Sequence, residues 1–139
     1  MMHYFLGLEV WKCPHHIFLN QGKYTIDILK RLEIFDWNVV NTLMVINLKL
    51  LNGDYSDTLN ASLYWQFIVS LMYLTNTKLN ICIFVNILSE YMVEPQHVHL
   101  GVSKYVMRYL KGTLDCVLIY AAYGEFILHR FRWEHRWQE

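Results

Sequence analysis

The stretch "SLMYLTNTKLNICIFVNILSEYM", residues 70–92, holds two apolar runs parted by a polar turn. Before the turn, Leu63, Phe67, Leu71 and Leu74 fall at i, i+4, i+8 and i+11. After it, Ile81, Phe84, Val85, Leu88, Tyr91 and Met92 repeat the stripe. Both spacings mark one face of a 3.6-residue helix, so two helices packed as an antiparallel pair are expected, with Asn80 capping the second. The apolar runs Phe67 to Leu74 and Ile81 to Leu88 fall well short of the roughly 20 residues that span a bilayer, and no membrane role is expected.

On the C-terminal side of that pair, Pro95 ends one helix and opens another at its first turn, and that next helix closes at Gly112. Toward the N-terminus, "HYFLGLEVW" and "HIFLN" flank "KCPHH", which predicts two strands joined by a hairpin turn at Pro14 and His15. A helix should follow, capped by Asn20, with Tyr24, Ile28 and Leu32 on its inner face. Residues 39 to 60 read mostly as loop, with "NGDYSD" as a polar turn. Beyond Gly112, "CVLIY" and "EFILH" predict a second hairpin. The fold class is therefore α+β, a helix-rich body of about four helices with a β-hairpin at each end.

The 139 residues fit one domain and suffice for a core. At 55% hydrophobic and only 17% charged, the chain is apolar enough to suggest a body that packs against something else, with poor solubility near neutral pH. Its formal net charge is zero, so a nucleic-acid role must come from local clustering. Cys13, Cys82 and Cys116 are odd in number and far apart, which points to a reducing, intracellular compartment.

One cluster stands out. At about 100° per residue, Lys104, Arg108 and Lys111 lie within roughly 60° of arc on the last helix. The stripe suits either a solvated face complementing the helix C-terminus or contact with a phosphate backbone. No metal site is expected, because "CPHH" has no second ligand pair at zinc spacing and His97 and His99 point about 200° apart on a helix. No Gly-x-Ser-x-Gly elbow or glycine-rich phosphate loop occurs, and Asp54 and Asp57 sit in a turn that favours Asp for its backbone hydrogen bonds. No catalytic residue and no cofactor are assigned.

The blocks "HYFLGLEVW" (3–11), "IFLNQGKYTIDILKRL" (17–32), residues 70–92 and "HLGVSKYVMRYLKGTLD" (99–115) together resemble the Pol polyprotein of copia-type LTR retrotransposons, of the kind abundant in plants. The resemblance covers about residues 2 to 128 in one order. It implies the stretch that follows the polymerase palm, spans thumb-like and connecting helices, and stops where ribonuclease H begins. It further implies that Phe5, Leu6 and Gly7 correspond to a strand segment that helps hold the primer end. The helix bearing Lys104, Arg108 and Lys111 would lie in a region that handles an RNA–DNA primer–template duplex through backbone contacts.

Departures from the family pattern accompany the match. The Tyr-x-Asp-Asp motif does not occur, so a truncated, non-catalytic relative of an RNA-directed DNA polymerase is expected. Val69 stands where the family has glycine, Leu43 and Leu79 where it has proline, Asn80 where it has aspartate, and Gly101 where it has alanine. The alternatives are a small interaction protein that self-associates or binds a partner through exposed apolar surface, and an inert transposon relic. The tail "HRFRWEHRWQE", residues 129–139, leaves the pattern abruptly. A reading one nucleotide later can encode an Asp-x-Asp stretch like the one that opens ribonuclease H. A frameshift near His129 is therefore expected, with Arg130, Arg132, Trp133 and Trp137 forming no apolar face and poorly ordered.

Overall fold

In "HYFLGLEVW" a glycine interrupts an otherwise continuous strand signal, and the chain turns there. In the computed structural model, which describes residues 2–5, 7–43, 61–114, 116–121 and 126–130, that stretch forms two strands, β1 (Met2–Phe5) and β2 (Leu8–Cys13). Gly7 sits at the turn with φ of 81°, a left-handed conformation that glycine adopts without a Cβ penalty. The chain then turns at Pro14 and His15, as expected, into β3 (His16–Asn20). The C-terminal hairpin also forms, from β4 (Cys116–Ala121) and β5 (Phe126–Arg130). The two ends are joined: β3 pairs antiparallel with β4, Phe18 opposite Ile119, making one five-stranded sheet in the order β1-β2-β3-β4-β5. "CVLIY" reads as an unbroken apolar run because Val117, Leu118 and Ile119 are all buried, so both faces of β4 are covered there.

The helices are inserted between β3 and β4. Among the described residues they are α1 (Gly22–Arg31), α2 (Ala61–Leu74), α3 (Cys82–Ser89, preceded by a 3₁₀ turn over Leu79–Ile81) and α4 (His97–Lys111). Tyr64 at the start of α2 donates to the Leu88 carbonyl at the end of α3, 2.5 Å away, and the Trp65 indole N–H donates to the Met92 carbonyl, which makes the pair antiparallel. Tyr64, Phe67, Ile68, Leu71 and Leu74 of α2, Val85 and Leu88 of α3, and Val106, Met107 and Leu110 of α4 form the core with Ile28 and Leu29 of α1. Leu63, expected on the inner stripe, sits at its exposed rim, and Tyr64 takes its place because the phenol reaches the Leu88 carbonyl.

Three capping expectations are corrected. Asn20 does not cap α1: it ends β3, and its amide donates to the buried Glu9 carboxylate, whose other oxygen accepts the Lys23 backbone N–H in the first turn of α1. A carboxylate from β2 thus does the work expected of the local asparagine. Asn80 does not cap α3: it lies in the 3₁₀ turn and donates to the Tyr109 hydroxyl. Pro95 precedes the α4 cap residue, Gln96, instead of sitting in the first turn, and the Gln96 N–H is accepted by His99 Nδ1.

Glu9 is 2% exposed, and burial raises its carboxyl above the ordinary glutamate value against the pull of Lys23, Asn20 and Lys78. A raised folded-state pKa means that the folded chain binds the proton more tightly than the unfolded one. Wild type should therefore gain stability relative to Glu9→Gln as pH falls from neutral toward 4.5. Urea midpoints of both proteins across that range measure this, and a constant difference would contradict it.

The end of α1 is a Schellman motif: Glu33 N–H donates to the Lys30 carbonyl and Ile34 N–H to the Leu29 carbonyl, with Leu29 and Ile34 both buried. Glu33 has φ of 62°, where glycine is the usual residue. Gly101, in contrast, is mid-helix, and a Cβ added there would meet nothing within 4 Å. Glu33→Gly should stabilise by about 0.5 to 1 kcal/mol and Gly101→Ala by about 1 kcal/mol. Thermal melts check both, and a fall in Tm for either would contradict the geometry.

A candidate nucleic-acid interface

The Schellman motif sends the chain away from α1 and across the outer face of α4. Ile34 is buried beneath this strap, and Phe35 is half-buried against the core. Beyond them the strap is held by the cations of α4. Lys111 Nζ donates to the Trp37 carbonyl at 2.9 Å, and Arg108 Nε to the Asn38 carbonyl at 2.8 Å. Lys104 Nζ stands 5.4 Å from the centroid of the Trp37 ring. The Tyr105 hydroxyl donates to the Thr42 carbonyl, and the Val40 N–H reaches the Arg108 carbonyl at 3.5 Å. Gly112 lets the strap lie this close, since a Cβ there would meet Val39 Cγ1 at 2.5 Å.

The stripe expected on α4 therefore exists, with Lys104, Arg108 and Lys111 side by side and each half-exposed. It is not a bare solvated face, because all three engage one strap. A lysine ammonium has three N–H donors and a guanidinium five, and the strap carbonyls take one from Lys111 and one from Arg108. Donor capacity for a phosphate remains.

Sequence reasoning missed three members of this surface. Phe35 lies between two ammonium groups, Lys30 Nζ at 5.2 Å and Lys111 Nζ at 5.1 Å from its ring centroid. Trp37 is 41% exposed. The surface thus brings together Lys30, Lys104, Arg108 and Lys111 with two aromatic rings, while the exposed Glu33 and Asp36 are neighbours of those rings in the chain. A signal existed in "EIFDW", an aromatic pair directly after a basic helix end, but it has no helical or strand periodicity to flag it.

The other expected site residues lie elsewhere. Phe5 pairs with Leu8 at the end of β1, and Leu6 lies outside the described residues. Gly7 packs on the Tyr73 and Tyr24 rings, which meet edge to face at 4.7 Å, so its close neighbours are aromatic and not the stripe. The tail from residue 131 onward also lies outside the described residues, although β5 carries its register through His129 opposite Val117 and Arg130 opposite Cys116. Arg130, expected to be poorly ordered, is thus strand-paired through its backbone. Asp54 and Asp57 fall in the undescribed stretch between residues 44 and 60. Among the described residues no group of three or more His, Cys, Asp or Glu is placed to hold a metal ion, and no helix is long and apolar enough to cross a membrane.

The departures from the family pattern acquire positions. Val69, Leu79, Asn80 and Gly101 are exposed, and only Leu43 among them is buried. Extra bulk at Val69 and Leu79 therefore meets solvent instead of core.

No protein-family profile and no solved structure matches the chain. Curated proteins do. The chain is 36% identical over 114 residues to the retrovirus-related Pol polyprotein from transposon RE2 of Arabidopsis thaliana, and 35% identical over 112 residues to that from transposon RE1. These alignments cover 82% and 81% of the chain but 8% of each polyprotein. It is also 33% identical over 115 residues to an uncharacterised mitochondrial protein of the same plant, covering 47% of that protein. Over most of its length the chain is thus similar to one short segment of the retrovirus-related Pol polyproteins of plant transposons, consistent with the copia-type resemblance.

Proposed function

We propose that this segment is a non-catalytic part of an RNA-directed DNA polymerase that steadies an RNA–DNA duplex through sequence-independent backbone contacts. The observation that supports the reading is the joint presentation of Lys104, Arg108 and Lys111 on one face, with Lys30 alongside and the strap holding their side chains in place. Fixed cations lose less side-chain entropy on meeting a phosphate than free ones do. The catalytic carboxylates would come from other parts of a polyprotein of which this chain matches a small fraction.

Fluorescence anisotropy with an RNA–DNA hybrid tests the reading. Weak binding should fall with salt at a log–log slope no steeper than about −2.7, for three phosphates. The triple change Lys104→Ala, Arg108→Ala, Lys111→Ala should weaken binding and flatten the slope. An unchanged slope would leave the stripe as a clamp for the strap alone. Primer extension with Mg²⁺ should not exceed a no-protein control, and extension above it would overturn the non-catalytic reading.

A second reading rests on α2, which has no charged residue in its length and exposes Trp65, Val69 and Met72 at i, i+4 and i+7. A helix that is apolar all round is normally buried, so this face would serve self-association or contact with another part of Pol. Sedimentation of wild type and Val69→Glu separates the two: mass that falls to the monomer in the variant supports self-association. For the tail, we read residues 129–139 as translated out of frame. The gene's nucleotides after codon 128 decide that, and the absence of an Asp-x-Asp stretch in the shifted frame would end it.

A further inference from the structure

Trp37 is an odd residue to leave half in water. Its backbone is fixed on both sides: its N–H donates to the Ile34 carbonyl, its own carbonyl accepts from Lys111, and the next carbonyl accepts from Arg108. Two residues earlier on the same strap, Phe35 packs half-buried against the core, so apolar cover was within reach of this segment. The indole instead stays 41% exposed, with the Lys104 ammonium beside it and Arg108 and Lys111 directly beneath the strap.

A rigid, exposed aromatic ring surrounded by cations matches what an unpaired nucleotide needs. A base has a π-face that stacks on indole whatever its identity, and its phosphates need clustered positive charge within one or two nucleotide lengths. Because the strap is already immobilised, ordering it on binding costs little. Trp65 is similarly exposed, but its own helix carries no charged residue, whereas the helix beneath Trp37 presents three cations.

We propose that Trp37 is a stacking platform for an unpaired base, most simply the single-stranded template next to a duplex held on the Lys104, Arg108 and Lys111 stripe. The inference rests on the duplex-binding reading and adds to it a preference for substrates with a single-stranded extension. The contacts that hold the strap use the Trp37 carbonyl, so changing the side chain leaves them in place and removes only the ring and its contact with Lys104.

The test compares a blunt RNA–DNA hybrid with the same hybrid carrying a short single-stranded overhang, by anisotropy, for wild type, Trp37→Ala, Trp37→Phe and Trp65→Ala. Wild type should favour the overhang substrate. Trp37→Ala should lose about tenfold in affinity for it but only about two- to threefold for blunt hybrid, through release of Lys104, and Trp37→Phe should retain most of the preference. Trp65→Ala should match wild type on both. Overhang-dependent quenching of tryptophan fluorescence should disappear in Trp37→Phe. Equal losses on both substrates would make Trp37 a structural residue and overturn the proposal, as would no loss on either, while duplex binding stood. If wild type bound neither hybrid, the duplex reading itself would fall, and this proposal with it.

Discussion

Replacing Lys78 with methionine should destabilise the protein by about 3 kcal/mol and lower Tm by about 10 °C. Lys78 is 2% exposed, and its ammonium donates to the Thr113 and Cys116 carbonyls at 2.8 Å each. Those carbonyls follow the end of α4, where the helix carries its partial negative charge, so the ammonium complements the dipole from a different element. Methionine keeps the length and volume of the side chain but cannot donate, which leaves both carbonyls without this partner. Relief from burying a charge offsets part of that loss, yet removing one partner of a buried charged contact normally costs more than it returns. The contact also joins layers, since Lys78 lies between α2 and α3 while Cys116 opens β4. A melt within about 2 °C of wild type would show that the two carbonyls are satisfied some other way.

The second large effect is expected at Gly7. Alanine there must hold φ near 81°, which costs about 1 to 2 kcal/mol for a residue with a Cβ. That Cβ would stand 3.1 Å from Tyr73 Cε1, 3.2 Å from its hydroxyl oxygen and 3.3 Å from Tyr24 Cδ2. Neither ring moves easily, because each packs on the other and the Tyr73 carbonyl accepts from the Gln21 amide. A total loss of about 2 to 3 kcal/mol follows, read as a lower urea midpoint with an unchanged m-value. A midpoint equal to wild type would mean that β1 and β2 are not joined by this turn. A primer-end contact of Gly7 is a proposal from the resemblance alone, and duplex affinity measured well below the melt separates loss of fold from loss of contact.

The sequence made the helices legible because their partners are local. Phe67, Leu71, Val85 and Leu88 repeat at helical spacing whatever they face, and so do Lys104, Arg108 and Lys111. What lay hidden depends on distant pairing. Asn20 has the chemistry of a cap, yet Glu9 reaches across from β2 and uses it as a donor. Asn80 likewise turns to Tyr109. The strap is the clearest case, since its residues have no period of their own and their role comes from α4, some seventy positions along the chain. The stripe was found as charge; the aromatic rings that give it a shape were not. The join between β3 and β4 was invisible for the same reason, because each hairpin is complete as a local pattern.

That join also sets an order of events at the ribosome. β1, β2 and β3 emerge before α1, but β3 can find its second neighbour only after α1 to α4 and then β4 have been made. Until then β3 presents an open edge with unpaired backbone groups, the feature through which nascent chains aggregate. Such long-range closure makes folding slow compared with a helical bundle of equal size. Translation that stalled before residue 116 would leave a polypeptide able to build its helices but without the strand that pairs with the second edge of β3.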